Sequence, residues 1–149
     1  TASNIFRLTG VVLMEDNDIK NKVPVFTYAG RNLVEELRLC QRYYEKSYEL
    51  ATAPATAANY NGTFCFISTS AIVANWTTIP YKAPKRTTPV VTFYSPSDGA
   101  SGNIFNQTTS ANQACTTDAS NGTNSFTPRF SAPAGTNYYF GHYTADIEL

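Results

Sequence analysis

The chain predicts a mainly-β, antiparallel domain of sandwich-like or jelly-roll-like architecture with one short α-helix. Three observations carry that prediction. About eight short segments are rich in β-branched and aromatic residues, the side chains that suit a pleated, half-buried surface. Turn signals separate them at Asn61-Gly62, Ser101-Gly102, Asn121-Gly122 and Ala132-Pro133-Ala134-Gly135. One stretch, about residues 32–46, carries a helical rather than a two-residue period.

Taken in order, residues 5–15 read as a strand, with Gly10 marking a bulge or a close backbone approach. A polar loop follows at residues 16–22. Its Asp16 and Asp18 lack the Gly and distal Glu of a calcium loop, so it reads as a solvated turn. Val23–Tyr28 is a short extended segment whose Pro24 suits an edge.

The helix is predicted next. Asn32 is placed to cap it, with Glu35 three residues on. Leu33, Leu37, Cys40 and Tyr44 recur on one face. Glu35 and Glu36 near its start and Arg42 and Lys46 near its end suit the helix dipole. A helix this short needs a partner for its apolar stripe, either the same subunit's sheet or a subunit interface.

A small-residue connection, 51–62, leads to a strand from Thr63. Its consecutive apolar residues predict burial on both faces, or a neighbouring subunit over the second face, continuing through Ala74. Further strands are expected around Ile79–Tyr81, 87–96, twice within 103–125, at 126–130 and at 137–146. Lys82, Lys85 and Arg86 form the one basic cluster, a weak anion-binding hint that also fits a solvated loop.

Composition narrows function. The 149 residues carry no net charge and only 15% are ionisable Asp, Glu, Lys or Arg, unlike the basic surface of a nucleic-acid binder. No apolar run reaches the roughly 18 residues of a membrane-inserted span. The length suits one domain at 1–149, with residues 1–30 as the connection from an upstream module; the start at Thr1 fits a module cut from a longer chain. Cys40, Cys65 and Cys115 form no metal-ligand spacing, and no cofactor or metal is expected. Cys40 and Cys65 read as buried free thiols, with one disulfide as the alternative.

No catalytic constellation is evident. His142 is the only histidine and no nucleophile motif accompanies it, although a carboxylate pair assembled from distant strands stays open. A glycan-binding surface fits better. Sugars are held by aromatic faces together with amide and hydroxyl groups. Trp76, Tyr81, Tyr94, Tyr138, Tyr139 and His142 are the candidate contacts, beside loops rich in Asn and Thr. Each aromatic taken singly also fits a core or interface position.

Four stretches share a further likeness. Glu35-Glu36-Leu37-Arg38-Leu39-Cys40-Gln41-Arg42-Tyr43-Tyr44-Glu45-Lys46-Ser47 resembles a signature of tail fibre and tailspike proteins of tailed bacteriophages. Leu8–Leu13, Lys85–Ser95 and Tyr143–Leu149 resemble segments that accompany it, whereas residues 16–30 depart from the family pattern. The resemblance implies a C-terminal fibre domain in the virion, assembled as a homotrimer. It also implies attachment to a host cell-surface polysaccharide or lipopolysaccharide. The alternatives are a structural trimerisation or capping domain, and part of a polysaccharide depolymerase. Leu33, Leu37, Cys40 and Tyr44 are the expected assembly residues.

Overall fold

In the computed structural model the chain divides into two compact units, residues 1–36 and 37–149. The structure describes residues 33–71 and 77–147. The strands expected at 5–15 and 23–28, the Asp16–Asp18 loop, the Asn32 cap, residues 72–74 of the expected strand and Trp76 lie outside them.

The described elements are α1 (Leu33–Gln41), β1 (Tyr44–Lys46), β2 (Phe64–Ser68), β3 (Ile79–Pro80), β4 (Val90–Tyr94) and β5 (Asn103–Asn106). They continue with β6 (Ala111–Ala114), β7 (Thr116–Thr117), β8 (Ser125–Phe126), β9 (Pro128–Arg129) and β10 (Asn137–Asp146). The fold is mainly β and antiparallel with one helix, as expected.

Strand β10 organises the second unit. Its first half pairs with β2 and β5, and its second half with β1 and β4. Its sequence explains this place. Tyr139, Gly141, Tyr143 and Ala145 alternate onto one face, and all four are buried. That face packs with Phe93 and Ile104, beneath a second layer formed by the short ribbons β3–β8 and β7–β9. Phe126 of β8 and Phe130, just after β9, have rings 4.8 Å from Tyr143 and 4.6 Å from Tyr139 respectively. Fully burying side chains of this size stabilises the fold by about 1.5–3 kcal/mol each. Gly141 has no spare room: a Cβ there would meet Phe64 and Ile104.

Four expectations change. The helix ends at Gln41, not near residue 46. After a turn at Arg42 and Tyr43, Tyr44–Lys46 pairs with Thr144–Asp146 as a strand. Sheet pairing and a buried ionic contact at Glu45 outweigh the local helical period. Tyr44 therefore leaves the helical stripe, and no residue of α1 is buried. Second, within the chain β2 is buried on one face only: Phe66 and Ser68 point inward, while Cys65 and Ile67 are exposed, which removes burial on both faces by the chain itself. Third, all three cysteines are free, but Cys40 and Cys65 are exposed and only Cys115 is buried. Burial pushes the Cys115 thiol up to about 12.

Fourth, the basic cluster is only partly a solvated loop: Lys82 and Arg86 are exposed, but each of its cations is bonded within the chain. Lys85 is buried and ion-paired to Glu45 at 2.8 Å. Lys85 also donates to the Gln41 carbonyl, Lys82 to the Lys46 carbonyl, and Arg86 to the Tyr43 hydroxyl. These bonds lock the segment after α1 to the loop before β4.

The connection 51–62 lies on its own chain. Ala58 and Asn59 donate to the carbonyls of Ser97 and Pro96. Its Asn-Gly turn forms as expected, with Gly62 at φ 82°, a conformation that favours glycine, and a Cβ there would run into the Ser47 carbonyl.

Candidate functional site

The pairing register of β1, β10 and β4 sets the site. Tyr44 stands opposite Asp146, and Asp146 opposite Val90; Thr144 stands opposite Thr92, and His142 opposite Tyr94. Side chains alternate along a strand, so these residues share the face turned away from the core. The opposite face carries Glu45, Tyr143, Ala145 and Phe93, all buried.

The outer face has two halves. Over His142 it is closed. Tyr48 stacks on the imidazole at 3.7 Å with the rings 14° from parallel. The Nδ1 of His142 lies 2.9 Å from Ser47 Oγ, and Nε2 lies 2.9 Å from the Asn59 carbonyl. The carbonyl can only accept, so Nε2 carries the proton and Nδ1 accepts from Ser47. Ser47 Oγ accepts in turn from the Tyr143 amide. Burial pushes the His142 pKa below its usual value, with the Asn59 contact partly opposing, so the ring is neutral near pH 7. His142 is thus a satisfied structural residue beneath the 47–59 segment.

Toward the strand ends the face is open. Tyr44, Pro54, Val90, Thr92, Tyr94, Thr144 and Asp146 line a groove of about 270 Å³. Tyr44 is 40% exposed and Asp146 is exposed. Burial, then the neighbouring Tyr94 phenol, then the Asp146 carboxylate raise the Tyr44 pKa. Two phenols, two threonine hydroxyls, one carboxylate and the apolar surface of Pro54 and Val90 therefore converge on one concavity. That set offers ring faces for stacking and both donors and acceptors for hydroxyl groups.

The expected sugar contacts do not assemble as a group. Tyr94 lines the groove. Tyr138 is exposed but stands on the first half of β10, away from it. Tyr81 is buried, donates to Asn121 Oδ1 at 2.9 Å and lies under the Lys85 ammonium. Tyr139 is fully buried against Phe130, its hydroxyl without a hydrogen-bond partner. Tyr81, Tyr139 and His142 are therefore core residues, because inward register and aromatic packing claim them. Tyr44, expected at an assembly contact, also lines the groove. Thr92, Thr144 and Asp146 also line the groove; alternation along Val90–Tyr94 and His142–Asp146 puts each set on one face of its strand, and only the pairing of β4 with β10 brings the two sets together.

A second groove of about 420 Å³ runs beside the end of α1, lined mainly by Leu37, Cys40, Tyr48 and Leu50 with the buried Glu45 at its floor. Glu45 accepts from the Tyr143 hydroxyl at 2.7 Å, from the Lys82 amide at 3.0 Å and from Lys85. Burial, followed by Glu45, raises the Tyr143 pKa. The Glu45 carboxylate is consumed by these bonds, which hold structure together.

Among the described residues, no cluster of His, Cys, Asp and Glu is placed to hold a metal ion, and no helix is long and apolar enough to cross a membrane. Comparison with protein-family models, curated proteins and solved structures finds no match to this chain.

Proposed function

We propose that this chain is a non-catalytic, glycan-binding module of the phage tail fibre or tailspike class, acting at the virion surface during host attachment. The observation that carries the reading is the open groove in which Tyr44 and Tyr94 flank Thr92, Thr144 and Asp146. Its chemistry suits a pyranose ring: an aromatic face against the C–H surface, and hydroxyl and carboxylate partners at the ring edge. The likeness of residues 35–47 to fibre proteins supplies the biological setting. A homotrimer would multiply weak single-site binding by avidity.

Asp146 is the one carboxylate lining the groove, whereas glycoside cleavage ordinarily uses two. That favours binding without hydrolysis over the depolymerase alternative. The test is retention of the chain on immobilised host-surface polysaccharide, beside a Tyr44→Ala variant. Retention that is lost in the variant, with circular dichroism unchanged, supports the reading. Equal retention of both proteins contradicts it.

A structural role in trimerisation or capping is the second reading. It is favoured by α1, where Leu33, Val34, Leu37 and Leu39 are all exposed. Sedimentation of the intact chain tests it, since a clean monomer at micromolar concentration removes its basis.

A further inference from the structure

We infer that the groove of Tyr44, Tyr94 and Asp146 selects uncharged, hydroxyl-rich glycan residues and rejects anionic ones such as uronic acids or phosphorylated sugars. The inference rests on the glycan-binding reading and adds the charge class of the ligand. Asp146 is the only ionised side chain among the seven residues that line the groove. It stands exposed at the end of β10, and no ion pair involves it among the described residues.

No basic side chain is among the seven residues that line the groove. Lys46 is the basic residue nearest by register, opposite Thr144. Its ammonium is tied to the carbonyls of Leu50 at 2.9 Å and Thr52 at 2.6 Å. Lys82 is bound to the Lys46 carbonyl, Lys85 is buried against Glu45, and Arg86 lies over the Tyr43 ring with its guanidinium on that hydroxyl.

A carboxylate or phosphate entering the groove would therefore meet a fixed negative charge at close range, with no cation among the lining residues. Inside a partly dehydrated concavity that repulsion exceeds what it would be in bulk water. A neutral ring meets the opposite situation. Its hydroxyls donate to the ionised Asp146, and a hydrogen bond to a charged acceptor is stronger than a neutral one. The threonines and the phenols remain as donors and acceptors for the other hydroxyls.

The test compares polysaccharides of like backbone that differ in charge: mannan with phosphomannan, and methyl-esterified polygalacturonate with its de-esterified form. Binding of the intact chain is measured by biolayer interferometry at low and at high salt. The expected result is at least tenfold weaker binding of the acidic member of each pair at low salt. The gap should narrow at high salt, because screening shortens the reach of the repulsion. It should also narrow in Asp146→Asn, which loses affinity for the neutral polymer and gains it for the acidic one.

Equal or tighter binding of the acidic polymers by the unmodified chain overturns the charge rule while leaving a glycan site in place. The same holds if Asp146→Asn leaves the ratio unchanged. Binding of none of the four polymers sinks the glycan-binding reading, and the charge rule with it.

Discussion

At the scale of single residues, one buried pair and two single positions decide how the site is held. Glu45 and Lys85 form a buried pair whose remaining valences go to Tyr143, the Lys82 amide and the Gln41 carbonyl. Breaking such a pair from one side strands a charge in the interior. Glu45→Gln should therefore cost about 3–5 kcal/mol in urea unfolding, whereas replacing both partners by methionine should cost much less. Gly141 is the first of the single positions. Its neighbours Phe64 and Ile104 occupy the space a side chain would need, so Gly141→Ala should destabilise by about 1–3 kcal/mol in the same measurement. His142 is the other, and its effect depends on pH. Its pKa is held below the ordinary 6.5, so the unfolded chain binds the proton more readily than the folded one. The stability linked to neutral His142 is complete above pH 6.5 and is lost as pH falls toward the folded value. Thermal melts between pH 7.5 and pH 5 should show that loss, and the part due to His142 should vanish in His142→Gln.

At the scale of elements, the instructive case is the stretch from Leu33 to Lys46. Local period and charge placement read as one long helix, and the first nine residues follow it. Tyr44–Lys46 does not, because the partners that draw it into the sheet, Thr144–Asp146, lie about a hundred residues away. No local signal records that pairing. The same limit explains the site. Tyr94 and Tyr139 are equally aromatic and both lie on strands, but only register shows that Tyr139 faces the core while Tyr94 reaches the groove. The turns were legible because glycine chemistry is local: Gly62 and Gly135 take positive φ where Asn-Gly and Ala-Gly signals stand. For α1 a prediction follows from exposure. Leu37 is 38% exposed, so Leu37→Asp should shift the melting temperature little. If the helix is an assembly surface, that substitution should abolish self-association in sedimentation; a folded variant with unchanged association would remove α1 from the interface.

At the scale of the whole molecule, one long strand couples the core to the groove. One face of β10 carries Tyr139, Tyr143 and Ala145 into the aromatic core, and its other face turns the buried Thr144 and the exposed Asp146 toward the groove. The β-rich class and the position of this last strand were readable from alternation and turn spacing. The groove was not, since it exists only where β1, β10 and β4 lie side by side. Asp146 is the one charged side chain lining the groove, and it sets the groove's sign. The most direct measurement of the central claim is a chemical-shift titration of the isotope-labelled chain with mannan fragments. The account predicts perturbations centred on Tyr44, Thr92, Tyr94, Thr144 and Asp146, with Tyr138 and the surface of α1 unaffected. Perturbations centred on Tyr138 or α1, or none at saturating sugar, would contradict it.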